Sequence, residues 1–159
     1  MSGPGERSAL SPSELTAAFW DALYRRDWED VATFFGPESI YFDVPTGPST
    51  AARGPADVVR RLRLGLDGLS GYDHHGEPLV VADGEVVFTE HTEVWHWHTG
   101  ESVALPFVSV QRVRDGVILV WKDYWDYQTL LGASPAWWQE RIFSDDLAWV
   151  HDATGHPLL

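Results

Sequence analysis

The spacing of apolar residues divides the chain into a helical first part and a strand-rich second part. Ser11-Pro12-Ser13-Glu14 forms a capping box with proline in the first turn, which predicts a helix through residues 15–26. Asp27 can cap a second, short helix that ends before Gly36-Pro37. A third helix is predicted over residues 56–69, with its apolar side formed by Val58, Val59, Leu62, Leu66 and Leu69.

After Gly71 the apolar residues recur at every second position, which indicates strands. Three turn pairs separate four such runs: Asp83-Gly84, Thr99-Gly100 and Asp115-Gly116. Turns of this kind between alternating runs are typical of hairpins and predict a four-strand antiparallel meander. An earlier strand over residues 39–44 would place Tyr41 and Asp43 on one face. The predicted order, α-α-β-α followed by the meander, is of the α+β class.

The ends of the chain differ from this central part. Residues 1–10 are expected to be a flexible N-terminus, residues 11–131 the main domain, and residues 132–159 a helical C-terminal extension of the same domain. Within the extension, residues 134–143 and 144–152 each begin with a serine that could cap a helix. Tryptophans are costly to expose, so we expect the extension, with Trp137, Trp138 and Trp149, to cover a pocket mouth or a dimer contact.

The hairpin turns also predict which side chains share a face of the sheet. With two-residue turns, His91 pairs with Val108, and Val108 pairs with Asp123. His91 and Asp123 would then lie on one face, two strands and about 10 Å apart. By alternation the same face carries Glu93 and the tryptophans Trp95, Trp97, Trp121 and Trp125. A carboxylate among so many indoles needs partners or a raised pKa.

Composition limits the kinds of partner. The net charge of -13 would repel nucleic acid, and no apolar run is long enough for a membrane span. The chain has no cysteine, which excludes thiol chemistry, and no signal-peptide pattern opens it, so we expect a cytoplasmic protein. Nine tryptophans suit a wide apolar cavity. We therefore expect an apolar small-molecule substrate and no nucleic acid or membrane partner. A homodimer is also expected.

Three motifs resemble those of the nuclear transport factor 2-like superfamily, and within it the limonene-epoxide-hydrolase-like enzymes and the SnoaL-like polyketide cyclases. Residues 41–45, YFDVP, resemble Tyr-x-Asn-Ile-Pro of the hydrolases. Residues 89–94, TEHTEV, resemble Thr-Glu-Arg-x-Asp-Val, and residues 121–126, WKDYWD, resemble Trp-Arg-Asp-Tyr-Phe-Asp. The resemblance covers residues 11–131 and implies a cone-shaped fold, with N-terminal helices packed on a curved antiparallel sheet.

The resemblance also implies roles for particular residues. Asp123 falls on the aspartate that acts as base, and Glu93 on the aspartate that protonates the epoxide oxygen. Tyr41 falls on a water-binding tyrosine and Asp43 on an asparagine beside it. His91 falls on an arginine that bridges the two aspartates, so a permanent charge and a bidentate donor are lost there. We take Asp123, Glu93 and His91 as candidate catalytic residues. The candidate substrate-binding residues are Tyr41, Asp43, Trp95, Trp97, Trp121 and Trp125.

Other interpretations of these residues stay open at this point. Asp123 could be paired structurally with Lys122 or His91, and His91 could be a core histidine bonded to a carbonyl. His96 and His98 alternate as metal ligands can, but they fall on the face opposite His91, so we expect no metal site. No glycine-rich phosphate loop is present, and we expect no cofactor.

Three functions follow from these expectations. The first is a cofactor-independent SnoaL-like cyclase that closes a ring on a polyketide-type intermediate, as in antibiotic biosynthesis. The second is a limonene-type epoxide hydrolase that adds water to an epoxide. The third is a small-molecule binding protein without catalysis, since one fold can serve many functions.

Overall fold

The computed structural model describes residues 7–159. Five helices are present in this range: α1 (Pro12–Tyr24), α2 (Trp28–Ala32), α3 (Gly54–Leu66), α4 (Tyr127–Ala133) and α5 (Ala136–Phe143). A single 3-10 turn, Pro48–Thr50, lies between the first two strands. Residues 1–6 of the expected flexible N-terminus lie outside the described range. Arg7, in the same expected segment, is buried, pairs with Asp30 and lies over the ring of Phe34.

Eight strands form one sheet. They are β1 (Ile40–Asp43), β2 (Ala51–Arg53), β3 (Leu69–His74), β4 (Leu79–Asp83), β5 (Val86–Trp97), β6 (Ser102–Arg114), β7 (Val117–Tyr124) and β8 (Val150–His151). The order across the sheet is β3-β5-β6-β7-β1-β2-β8, and β4 pairs with the other end of β5. The sheet was expected to be antiparallel, but β1 runs parallel to β7. The predicted meander of β4 to β7 is confirmed.

The helices cover one face of the sheet, as the capping box of α1 and the apolar side of α3 predict. The capping box at the start of α1 is formed, with the Ser11 side chain accepting from the Glu14 amide and Glu14 accepting from the Ser11 amide. Both α1 and α3 turn their apolar sides to the sheet, and Val58, Leu62 and Leu66 of α3 are buried there. The main core therefore lies between these helices and the inner face of the sheet.

The predicted strand register is wrong by one residue at both hairpins. Residues 98–100 form a three-residue connection, in which Gly100 has φ +106°, in place of the predicted two-residue turn. Because the turn is one residue longer, His91 pairs with Phe107 rather than with Val108. The turn at Asp115-Gly116 forms as predicted, but the register shifts between Arg112 and Val113. An extra residue in β7 at this bulge moves the partner of Asp123 from Val108 to Ser109. Val108 lies on the other face and is exposed.

The C-terminal extension is helical only in its first part. Helix α5 is present, but its N-cap is Pro135 and no serine side chain caps it. The helix predicted over residues 144–152 is wrong, because a loop leads there into β8, which pairs with β2. The indole of Trp149 is buried against the domain instead of lying on a helix surface. No helix within residues 7–159 combines the length and the apolar character that a membrane span requires.

Candidate active site

A cavity of about 400 Å³ opens between the inner face of the sheet, α3 and the C-terminal extension. Its wall is mostly aromatic and aliphatic, and three carboxyl side chains and one arginine reach it: Asp43, Glu93, Asp123 and Arg61. The extension contributes part of the lining with Trp138, Ile142, Phe143, Leu147, Trp149 and Val150. The extension therefore contacts the cavity; that it covers the cavity mouth or a dimer contact stays a prediction.

Asp123 lies near the end of β7 and is buried at 3% exposure. Ser109 Oγ and Trp121 Nε1 each donate to Oδ1 at 2.5 Å. Oδ2 accepts no hydrogen bond from the described residues, and the side chain lines the cavity. Burial raises the pKa of Asp123 well above its ordinary value, with a further contribution from the charge of Asp43, while the two donors oppose the shift.

Glu93 reaches the same cavity from β5, and both of its oxygens are held. Tyr72 donates to Oε1 at 2.7 Å and Trp95 Nε1 donates to Oε2 at 2.8 Å. Burial raises the pKa of Glu93 to about 7, although these two donors act in the opposite direction. A carboxyl group with this pKa can both give and take a proton near neutral pH.

His91 is buried behind this wall and is absent from the cavity lining. Its Nε2 lies 2.9 Å from Ser109 Oγ, and its Nδ1 lies 3.3 Å from the hydroxyl of Tyr24. Burial lowers the pKa of His91 to about 4, with a smaller contribution from His74. The imidazole is therefore neutral at pH 7 and contacts Asp123 only through Ser109.

Asp43 lies beside Asp123 on the neighbouring parallel strand. Its Oδ1 accepts from Tyr41 at 3.1 Å and from Trp125 at 2.9 Å. Its Oδ2 accepts from Arg61 Nη2 at 2.7 Å and Nε at 3.2 Å. Burial opposes the charge of Arg61, but the pairing with Asp43 raises the pKa of this arginine overall. Each oxygen of Asp43 is thus bonded within the protein.

Three of the four candidate tryptophans lie in the cavity wall, and the fourth packs behind it. Trp95, Trp121 and Trp125 line the cavity. Trp97 does not, although substrate binding was expected of it; it is buried behind the wall against Trp95 and Trp138. Tyr41 stacks on Trp121 with ring centroids 3.9 Å apart and forms part of the wall.

Sequence reasoning missed four residues that hold the site: Arg61, Ser109, Tyr72 and Tyr24. Arg61 could have been found, because it lies three residues after Val58 and so shares the buried side of α3. Ser109 could be found only with the correct strand register, because that register pairs it with Asp123. Nothing in the local pattern marks Tyr72 or Tyr24.

The histidines do not converge on a metal site. His96 and His98 are exposed, and the ring of His98 packs on Trp137. Among residues 7–159, no group of at least three His, Asp or Glu side chains is placed to hold a metal ion. The carboxyl groups of the cavity instead accept hydrogen bonds from hydroxyl, indole and guanidinium donors.

The arrangement is suited to moving protons in an apolar space. Two carboxyl groups with raised pKa, Asp123 and Glu93, reach one cavity from β7 and β5. The third carboxyl group, Asp43, is neutralised by Arg61. Two buried carboxyl groups that do not ionise together can divide the roles of acid and base.

Comparison with known proteins identifies the family. The SnoaL-like domain matches residues 16–121 and ends two residues before Asp123. The epoxide hydrolase EphG of Mycobacterium tuberculosis is 30% identical over 117 residues, which cover 69% of each chain. An M. tuberculosis LEH-like epoxide hydrolase is similar in structure, with a TM-score of 0.62, 28% identity and coverage of 76% of this chain and 86% of its own. A protein from Shewanella putrefaciens CN-32, assigned as a SnoaL-like polyketide cyclase, gives a TM-score of 0.68 at 21% identity, covering 77% of this chain and 94% of its own. The chain therefore belongs to the SnoaL-like domain family and has the nuclear transport factor 2-like α+β fold.

Proposed function

We propose that this protein is a cofactor-independent epoxide hydrolase for a mostly apolar substrate. The observation that carries the proposal is that Asp123 and Glu93 reach one aromatic cavity in different settings. Asp123 has a free oxygen and neutral donors on the other oxygen, whereas Glu93 is held at both oxygens. The names of two relatives, EphG and the LEH-like hydrolase, support the same reaction.

In this mechanism Asp123 is the base and Glu93 is the acid. Ionised Asp123 takes a proton from a water molecule at Oδ2 while the water oxygen forms a bond to an epoxide carbon. The C–O bond of the epoxide breaks, and protonated Glu93 gives its proton to the oxygen that leaves. The product is a diol, and one proton must then pass from Asp123 back to Glu93. Each positioned proton transfer contributes about 10²–10⁴-fold in rate.

The cavity indicates the class of substrate. A volume of about 400 Å³ with a wall of tryptophan, tyrosine and leucine suits a small molecule with a large apolar part. Arg61 is bonded to Asp43, Thr50 and Thr46, so it has little capacity left for a substrate anion. We therefore expect neutral epoxides rather than epoxy acids or phosphates.

The test is diol formation from cyclohexene oxide and styrene oxide. Asp123→Asn and Glu93→Gln should each lower kcat by at least about 10²-fold with the fold intact by circular dichroism. In a single turnover in ¹⁸O-water, the label should enter the diol, because the attacking oxygen comes from water. Rates near those of the wild-type protein in both variants would remove acid/base catalysis at these residues.

Ring closure on a polyketide-type intermediate is a second candidate. The observation that favours it is that both oxygens of Asp43 are already bonded, so Asp43 offers little to hold an attacking water. A hydroxyl that belongs to the substrate needs no such holder, and the same acid and base would serve. Its product would contain no label from ¹⁸O-water, which separates it from hydrolysis.

Binding without catalysis is the remaining outcome. A carrier would keep its affinity for an apolar ligand after Asp123→Asn and would form no product with any epoxide. Titration of the tryptophan fluorescence with the diol or with the epoxide would measure that affinity, because Trp95, Trp121 and Trp125 lie in the wall.

A further inference from the structure

We infer that Tyr24, His91 and Ser109 form a positioning chain that orients Asp123 and sets its ionisation. The chain is a continuous series of hydrogen bonds from α1 through β5 and β6 to β7. Ser109 is the end of this series, and of the three residues it alone contacts Asp123. The inference rests on the proposed function for its catalytic consequence, since it takes Asp123 as the base.

The direction of each hydrogen bond follows from the number of protons available. An ionised Asp123 can only accept, so the single hydroxyl proton of Ser109 is donated to Oδ1. Ser109 Oγ must then accept from His91, which requires the proton of the neutral imidazole to be on Nε2. Nδ1 is left as an acceptor, and the hydroxyl of Tyr24 donates to it. All three donors therefore point toward the carboxylate.

This direction determines which oxygen of Asp123 can react. Ser109 and Trp121 both donate to Oδ1, so the plane of the carboxylate is fixed by two bonds to one atom. Oδ2 has no such bond and belongs to a side chain in the cavity wall. A base held in one orientation is aligned with the proton that it abstracts.

Ser109 matters more here because no cation among residues 7–159 contacts Asp123. The charged groups around it are Asp43 with its partner Arg61, and Glu93. Around this series of hydrogen bonds lie Tyr41, Tyr72, Asp73 and His74. None of these supplies a positive charge directly to the carboxylate, and His91 is neutral. Neutral donors alone therefore hold the ionised form of Asp123.

The main experiment compares Ser109→Ala with Thr89→Val. Thr89 is the cross-strand partner of Ser109 on β5 and is buried like it. Within the described part of the chain, its hydroxyl has no hydrogen-bond partner. The pKa of Asp123 is read in the free protein by ¹³C NMR of labelled aspartate carboxyl groups, assigned with Asp123→Asn. Ser109→Ala should raise this pKa by one unit or more, and Thr89→Val should leave it unchanged. The acid limb of the kcat/KM profile on cyclohexene oxide should move upward by the same amount in Ser109→Ala.

A second measurement does not depend on a sheet substitution. The ¹⁵N chemical shifts of His91 should show the proton on Nε2 in the wild-type protein. Tyr24→Phe should leave the proton there, because Ser109 still accepts from Nε2 while it donates to Asp123. An Asp123 pKa unchanged by Ser109→Ala, or a proton on Nδ1 in the wild-type protein, would overturn the inference. If the NMR results are as expected but Asp123→Asn keeps full turnover, the chain stands and the proposed function fails.

Discussion

Asp43 and Asp123 are direct neighbours on parallel strands, yet only Asp43 has an arginine partner. Arg61 pairs with Asp43, whereas among residues 7–159 Asp123 accepts only from the neutral donors Ser109 and Trp121. The charge of one carboxylate is therefore balanced by a salt bridge, and that of the other is not. For this reason the proposed acid/base role in the apolar cavity falls to Asp123 rather than to Asp43.

Removing Arg61 should destabilise the fold strongly. Arg61 and Asp43 are both largely buried, with side-chain exposures of 8% and 17%. Arg61→Met leaves the Asp43 charge without its partner and should lower the free energy of unfolding by about 3 kcal/mol at pH 7. Urea denaturation followed by circular dichroism measures the loss.

Two variants control this prediction. Asp43→Asn combined with Arg61→Met removes both charges and should be more stable than Arg61→Met alone. Arg53→Met breaks an exposed pair with Glu38 and should cost less than about 1 kcal/mol. Equal losses in Arg61→Met and Arg53→Met would mean that burial of the Asp43 pair has no energetic consequence.

The stability of Glu93→Gln should increase relative to that of the wild-type protein as the pH rises. The pKa of Glu93 is about 7 in the folded protein against an ordinary value of 4.5. Between these values the folded state holds a proton that the unfolded state has released, so wild-type stability falls with rising pH. Glutamine does not titrate, and the difference in unfolding free energy should grow by up to about 3 kcal/mol from pH 4.5 to 7. Urea denaturation at several pH values measures it.

His91→Gln provides a control with the opposite sign. The pKa of His91 is lowered from 6.5 to about 4, so between these values the unfolded state holds the extra proton and wild-type stability rises with pH. Relative to the wild-type protein, His91→Gln should therefore lose stability from pH 4 to 6.5. The same slope in both variants would contradict the assignment of these two ionisation states.

Trp149→Ala should destabilise the C-terminal extension, whereas Phe143→Ala should not. Both side chains line the cavity, but Trp149 is 6% exposed and Phe143 is 64% exposed. Loss of the buried indole should cost about 3 kcal/mol, and loss of the exposed phenyl ring less than about 0.5 kcal/mol. Thermal and urea unfolding compare the two, and similar costs would show that the extension does not pack as described.

The expected homodimer can be tested at the outer face of the sheet. This face exposes large apolar side chains away from the cavity: Leu79, Val81, Phe88, Val108 and Tyr124. A second copy would cover them, so Phe88→Glu should give a monomer in sedimentation experiments. Leu10→Glu, an exposed position before α1, should leave the association unchanged. A wild-type protein that sediments as a monomer would contradict the expectation.

Much of the fold could be predicted because local patterns were strong. The capping box located α1, and the turn pairs located β4 to β7. The common face of His91 and Asp123 was also predicted correctly, although their common row was not. His91 pairs with Phe107 and Asp123 with Ser109, so the two one-residue errors place their partners on β6 two residues apart. Residues two apart on a strand lie on the same face, so His91 and Asp123 both stay on the inner side.

The parts that could not be predicted depend on contacts between distant segments. Short strands such as β2 and β8 are held in place by pairing with each other, and their few residues carry no alternating pattern. Ser109 became a contact of Asp123 only through a one-residue bulge, which no turn motif announces. Arg61 could have been placed on the buried side of α3, but its partner Asp43 lies on a distant strand and could not be named from the sequence.

The guanidinium group of Arg61 also lies close to two aromatic rings. Its central carbon lies 5.1 Å from the ring centre of Tyr41 and 5.0 Å from that of Trp149. The cation is thus fixed between the domain and its C-terminal extension, and it cannot swing toward a ligand without breaking contacts to both. The salt bridge between Arg61 and Asp43, the strand neighbour of Asp123, is consequently in place before any molecule enters the cavity. A substrate would meet dipoles and charges that need little reorientation during the reaction, which lowers the part of an activation barrier that liquid water imposes.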